Sequence, residues 1–158
     1  MSDNLYLHCQ TTAIGCVGIA ECGGFITNLL FAPGTLLPDA RNLETQLIAE
    51  AFQQLNSYLA GKRKEFSLPL NPSGTPFMQQ VWKILRTIPY GTTLTYKDVA
   101  EYVGNPLAFR AVGMANHRNS IPLFIPCHRV IATDGTLTGY RGGLPLKQHL
   151  LTLEQTNS

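Results

Sequence analysis

No two cysteines in this 158-residue chain stand at Cys-x-x-Cys spacing, which removes the zinc-ribbon and thioredoxin-like readings. The four present, Cys9, Cys16, Cys22 and Cys127, sit in a chain too long to be a disulfide-dense mini-domain. No apolar run approaches the roughly 18 residues of a membrane span, and Met1-Ser2-Asp3-Asn4 opens no basic-then-apolar leader. Charged side chains are scarce at 14%; the net charge of +2 permits a polyanionic partner without demanding one, since no basic cluster marks such a footprint. Internal repeats and low-complexity segments are also absent. What remains is a globular protein, 44% hydrophobic and long enough to bury a core, read as soluble, free of membranes and cytoplasmic.

Short apolar runs between residues 5 and 31, broken by Gly15 and Gly23-Gly24, suit antiparallel strands joined by turns. Cys9, Cys16 and Cys22 fall within them and are read as small buried side chains rather than metal ligands. Leu43, Leu47, Ile48, Ala51, Phe52, Leu55, Tyr58 and Leu59 recur at helical spacing before Gly61, predicting a helix from Leu43 to Leu59. The proline-rich stretch 67–74 reads as a connector, so domains are expected at 1–70 and 75–158.

In the second domain Thr75 and Pro76 make an N-cap and first helical residue, with Phe77, Val81, Trp82, Ile84, Leu85 and Ile88 on a buried face. Thr95-Tyr96-Lys97-Asp98 resembles a capping box, and Gly104-Asn105-Pro106 separates its helix from a second one, about Leu107 to His117. Two short helices across a tight turn follow the helix-turn-helix plan; the second displays Arg110, Asn116, His117 and Arg118 alongside core-type Ala111 and Val112. A last helix begins at Pro145, turns Leu146, Leu150, Leu151 and Leu153 inward, carries Glu154 near its end and leaves 155–158 frayed. The expected class is α+β: a small N-terminal antiparallel sheet with a helix, then a mostly helical C-terminal domain containing a helix-turn-helix.

The chemistry centres on Ile125-Pro126-Cys127-His128-Arg129-Val130. A free thiol of pKa about 8.5 is only slightly ionised at neutral pH, and an adjacent base is the usual remedy. In an extended strand Cys127 and His128 would point to opposite faces, so a water bridge between them is expected. The imidazole in turn needs an orienting carboxylate, for which Glu154, Asp134 and Glu101 are the candidates. A buried, inert thiol is the competing reading.

This run resembles the active-site signature of the O6-alkylguanine-DNA alkyltransferases, the methylated-DNA–protein-cysteine methyltransferases. The resemblance extends to Arg110-Ala111-Val112-Gly113, Asn119, Gly139-Tyr140-Arg141-Gly142-Gly143-Leu144, Glu154, Pro89-Tyr90-Gly91 and Thr95-Tyr96, covering Phe77 to Glu154. It implies direct-reversal repair: duplex DNA held by the hairpin, a flipped O6-alkylguanine, and irreversible single-turnover transfer of the alkyl group to Cys127. O4-alkylthymine is a further conceivable substrate, and the protein is expected to be a monomer.

The implied catalytic set is Cys127 as nucleophile, His128 as water-linked base, Glu154 orienting it, Asn119 holding the turn, and Tyr96 donating toward the guanine. Arg110 would fill the gap left by the base, with Ala111, Gly113, Asn116, Arg118 and Arg141 also on the DNA-binding face. Tyr96, Pro122, Val130, Tyr140 and Arg141 would line the substrate pocket. No cofactor is implied, and because only Cys22 stands where some relatives hold zinc, no metal is expected either. Ser120 departs from the proline that usually follows the hinge asparagine, which predicts a looser turn. Two other functions stand against repair: a non-catalytic lesion binder, which the presence of Cys127 opposes, and a cysteine hydrolase, for which no oxyanion hole is discernible.

Overall fold

Glycines at Gly23 and Gly24, with φ of 61° and 83°, turn the chain between β2 (Gly15–Cys22) and β3 (Phe25–Phe31) in a conformation that side chains with a Cβ resist. β1 (Leu5–Thr12) pairs antiparallel with β2. A short β4 (Arg41–Asn42) lies parallel to β1, so the order is β3-β2-β1-β4 and the sheet is not antiparallel throughout. The computed structural model describes residues 4–32 and 37–158. Met1-Ser2-Asp3, read above for a leader, lie outside the described residues. The chain divides into two compact units, Met1–Pro72 and Ser73–Ser158.

In the first unit α1 (Gln46–Leu59) buries Ile48, Ala51, Phe52, Leu55, Tyr58 and Leu59. Its start falls after the expected Leu43, because the Thr45 hydroxyl accepts the Ile48 N–H and takes the cap; Leu43 remains 52% exposed. The Phe52 ring meets His8 edge-on at 6.0 Å, which marks the sheet face that α1 covers. Cys9 alternates to the other face. This corrects the expectation of buried thiols: Cys9 and Cys16 are exposed and Cys22 is half-buried. Cys9 pairs with Gly18 and Cys16 with Thr11, so the two cysteines are diagonal neighbours on one face. The connector is part of the sheet edge at its start, where Ile26 N–H donates to Pro69 O at 2.8 Å and Asn71 N–H to Ile26 O at 2.9 Å.

The second unit begins with α2 (Pro76–Leu85), capped by Thr75, whose hydroxyl accepts from Met78 N–H. Val81, Trp82 and Leu85 are buried, each contributing roughly 1.5–3 kcal/mol of transfer free energy. The Trp82 indole donates to Ala115 O at 2.8 Å. This bond satisfies the one polar atom of the largest buried side chain and fixes α2 against α4 (Phe109–His117). α3 (Tyr96–Val103) opens with a complete capping box between Thr95 and Asp98 and stops at Gly104, whose φ is 91°. α4 starts two residues later than its sequence pattern suggests, since Asn105 Oδ1 accepts from Leu107 N–H and holds that residue in the turn.

A small parallel pair, β5 (Leu94–Thr95) with β6 (Val130–Ile131), lies within this otherwise helical unit. α5 (Leu144–Asn157) runs through the residues expected to fray, because Thr156 and Asn157 side chains donate to the carbonyls one turn back. Its buried residues are Lys147, Leu150, Leu151 and Glu154, so a cation replaces Leu146 and Leu153 on the inner face. Ala111 is exposed rather than core-facing. No described helix is long and apolar enough to cross a membrane.

Candidate functional site

Cys127 begins a 3-10 turn, Cys127–Arg129, that leads into β6, so the segment is not the extended strand the alternation argument assumed. The turn is assembled by asparagines. Asn119 Nδ2 donates to Ile125 O at 3.0 Å while its Oδ1 accepts from Ile121 N–H at 3.0 Å. Asn116 Nδ2 donates to Cys127 O at 3.2 Å. Between them Leu123 takes a positive φ of 75°, a strained conformation for a branched side chain that these bonds and its burial maintain. The turn therefore stays closed although Ser120 occupies the place of the expected proline.

Cys127 is 4% exposed, and burial pushes its thiol up to about 11; hydrogen bonding by Asn119, then the charges of Lys147 and Arg141, oppose that rise. The thiol is thus protonated at neutral pH and depends on a base to react. His128 is fully buried, and its imidazole is pushed below its ordinary range by that burial, against the opposing pull of Glu154. A neutral imidazole is the form able to accept a proton. His128 Nε2 lies 2.7 Å from Glu154 Oε2, which selects Glu154 from the three carboxylates offered by the sequence. The Tyr140 ring stands edge-on to His128 with centroids 6.4 Å apart.

Arg129 and Lys147 were not identified as site residues from the sequence. Arg129 donates from Nε and Nη2 to Glu154 and from Nη1 to Ile88 O at 2.7 Å. Lys147 Nζ donates to Val130 O and Thr138 O, both at 2.8 Å, and burial pushes its ammonium down. Lys147 and Glu154 are seven apart, two turns along one face of α5. That spacing was the available signal, hidden because a lysine among leucines reads as a surface residue.

A pocket of about 330 Å³ shares Asn116 with this turn, through the bond from that residue to Cys127 O. Tyr96 forms one wall, Gly113, Asn116 and His117 of α4 another, and Thr138 with Gly139 a third. Tyr96 Oη and Thr138 Oγ1 are 2.7 Å apart and hydrogen-bonded. Of the other side chains expected in the pocket, Pro122 and Val130 lie in the buried interior, while Arg141 is exposed and its Nε donates to His117 O at 2.8 Å. Arg110, Ala111 and Arg118 are exposed on or next to α4, and the Arg110 guanidinium lies 6.0 Å from the Phe109 ring centroid. Asn116 is only 7% exposed; it contributes to the pocket wall and donates to the Cys127 turn. A second cleft of about 450 Å³ is bordered by Thr75, His117, Arg118 and Arg141.

Two family models match the chain. Residues 5–72 match the ribonuclease-like domain of 6-O-methylguanine DNA methyltransferase, and residues 76–156 match its DNA binding domain. A constitutive methylated-DNA–protein-cysteine methyltransferase of Bacillus subtilis is 45% identical over 157 residues, covering 95% of each chain. One from Mycobacterium leprae is 46% identical over 153 residues, covering 94% of this chain and 93% of its own. Among solved structures, the Mycobacterium tuberculosis O6-methylguanine methyltransferase superposes with a TM-score of 0.89 at 39% identity, over 98% of this chain and 94% of that one. The Mycobacterium tuberculosis OGT structure in complex with DNA gives 0.85 at 40% identity, over 97% and 94%.

Proposed function

The chain belongs to the 6-O-methylguanine DNA methyltransferase family, and on that footing we propose how its residues divide the work of direct-reversal DNA repair. It is a methylated-DNA–protein-cysteine methyltransferase that binds DNA. α3 and α4 seat on duplex DNA with Arg118 and Arg141 toward phosphates, which fix position without reading sequence. Arg110 occupies the space left when O6-alkylguanine rotates into the pocket; the unstacking costs a few kcal/mol, and a guanidinium plane able to stack there offsets part of it.

Sγ of Cys127 attacks the alkyl carbon, the carbon–O6 bond breaks, and O6 keeps the electron pair. The thiol proton passes to His128, whose charge Glu154 offsets, and Tyr96 donates toward the purine as negative charge develops on it. Asn119 holds the turn that presents the sulfur. The product is a thioether, off the reversible routes by which cysteine is restored, so each molecule acts once and needs no cofactor. We place the protein in the cytoplasm as a monomer, at the nucleoid if the source is bacterial.

The observation that carries this reading is the buried His128–Glu154 pair, 2.7 Å apart, whose imidazole belongs to the same turn as Cys127. Incubation with a duplex containing O6-methylguanine followed by peptide mass measurement tests it. One methyl on the Cys127 peptide per protein molecule is expected. Repeated turnover, or an unmodified Cys127 peptide from repaired DNA, overturns it.

A further inference from the structure

The first unit carries a buried carboxylate that no protein cation neutralises. His8 stands opposite Ile19 on the β1–β2 ladder and meets Phe52 of α1, so Ile19 and, two residues further on, Glu21 lie on the face that α1 covers. Val17 and Ile19 on that face are wholly buried, and Glu21 is only 9% exposed at the next place in the row. Among the described residues its carboxylate takes part in no hydrogen bond and no ion pair. Neither oxygen is sealed from solvent, however. Burying a charge is costly unless it is paired or binds a metal, because the group forfeits its hydration.

Glu21 lines a cleft of about 640 Å³ along α1. Gln46, Glu50 and Gln53, spaced i, i+4 and i+7 on one face of that helix, line it as well. Glu50 Oε1 accepts from Gln54 Nε2 at 2.9 Å, while its Oε2 has no hydrogen-bond partner among the described residues. No lysine, arginine or histidine is among the lining residues, so two carboxylates border the cleft with no protein cation between them.

We propose that this cleft binds a hydrated hard divalent cation of the Mg²⁺ class, held by Glu21 and Glu50, with the amide oxygens of Gln46 and Gln53 as acceptors for its waters. The donor set selects the ion. No thiol or imidazole lines the cleft, which disfavours the softer Zn²⁺ and Cu⁺. Mg²⁺ sheds water reluctantly and is commonly held through one or two carboxylates, so a cleft wider than the bare ion suits it. A single ammonium group would leave one of the two negative charges uncompensated. The bound ion replaces the hydration that burial takes from Glu21 and ties β2 to α1. Its site belongs to the first unit and Cys127 to the second, so the ion supports the fold and is no participant in alkyl transfer.

Mn²⁺ serves as the probe, followed by the electron paramagnetic resonance signal of the free ion. Titrated into the full chain without DNA, it should occupy one site with a dissociation constant on the order of 1 mM, and Mg²⁺ should displace it. Glu21→Gln keeps the shape of the side chain and removes its charge, so affinity should fall roughly tenfold or more. Glu50→Gln should weaken binding as well. Mg²⁺ should raise the melting temperature of the wild-type protein and leave that of Glu21→Gln unchanged. Circular dichroism of the variant confirms that it is folded; removing an unpaired buried charge gives it no reason to unfold. Absence of Mn²⁺ binding by the wild type, or equal affinity in folded Glu21→Gln, overturns the proposal. So does a melting temperature raised by methylammonium and not by Mg²⁺, an effect that, if lost in Glu21→Gln, would assign the cleft to an organic cation.

Discussion

Arg129 forks onto Glu154, with Nε donating to Oε1 at 2.8 Å and Nη2 to Oε2 at 2.9 Å. His128 shares Oε2, and Gly91 N–H donates to Oε1 at 3.1 Å, so one carboxylate ties together the active-site turn, the loop after α2 and α5. Its partners are almost wholly out of water: Glu154 is 1% and Arg129 7% exposed. Removing one member of such a pair leaves the other charge buried and uncompensated, which typically costs about 3–5 kcal/mol. Glu154→Ala should therefore lower unfolding free energy by that order in urea titration. A loss below about 1 kcal/mol would show that the network orients His128 without holding the fold.

Acidity offers a separate check, and its sign follows from the two shifts. With the Cys127 thiol near 11 and His128 lowered below 6.5, the reactive pair is thiol plus neutral imidazole across the neutral range. The single-turnover rate should be flat from about pH 7 to 9 and fall only below pH 6.5. In His128→Gln the same rate should climb about tenfold per pH unit, because the thiolate must then form unaided. Stability should decline on the acid side as well, since the unfolded chain binds the His128 proton more readily than the folded one. A wild-type rate that climbs through pH 7 to 9 would remove His128 from the proton path.

Burial separates the thiols. Cys9 and Cys16 are exposed and Cys127 is 4% exposed with its thiol raised to about 11. Thiolate is the form that labels, so an aromatic disulfide reagent at pH 8 should modify Cys9 and Cys16 well before Cys127. Rapid labelling at Cys127 in the native protein would show that the turn opens without DNA.

These thiols also mark what the sequence made legible. Helical spacing, the capping box and glycine stops located the main helices, since those signals are local. The Cys127 motif likewise brought Asn119, Glu154 and Tyr96 into view. Strand burial was misjudged at Cys9 and Cys16 because alternation says which residues share a face, not which face α1 covers. Asn116 shows the same limit: helical position gave a polar residue on α4, and only the fold shows that side chain turned in toward the Cys127 carbonyl. Arg129 and Lys147 stayed hidden because a buried cation is recognisable only through partners distant in sequence.

Arg110 is exposed on α4, with its guanidinium 6.0 Å from the ring centroid of Phe109, a residue of the pocket lining. If it fills the space left by the base, Arg110→Ala should slow alkyl transfer by tenfold or more, about 1.4 kcal/mol. Affinity for undamaged duplex should fall much less, and the salt dependence of binding should change by about one phosphate contact at most. Equal losses in transfer and in undamaged-duplex affinity would reduce it to a phosphate contact.

Lys147 is the buried cation that the motif reading passed over. Its ammonium bridges Val130 O on β6 and Thr138 O in the pocket wall, with both bonds at 2.8 Å. The same charge also favours the Cys127 thiolate, so the residue couples pocket shape to nucleophile. Lys147→Met keeps much of the length and apolar stem but strands two carbonyls and removes the charge. Each stranded carbonyl costs about 1–3 kcal/mol, offset in part by relief of burying the ammonium, so a net loss of about 1–3 kcal/mol is expected. Transfer should slow further than stability alone explains, because the Thr138 wall that meets Tyr96 loses its anchor. The discriminating measurement is transfer rate at a temperature where both proteins are fully folded. A rate equal to wild type there would assign Lys147 to stability alone.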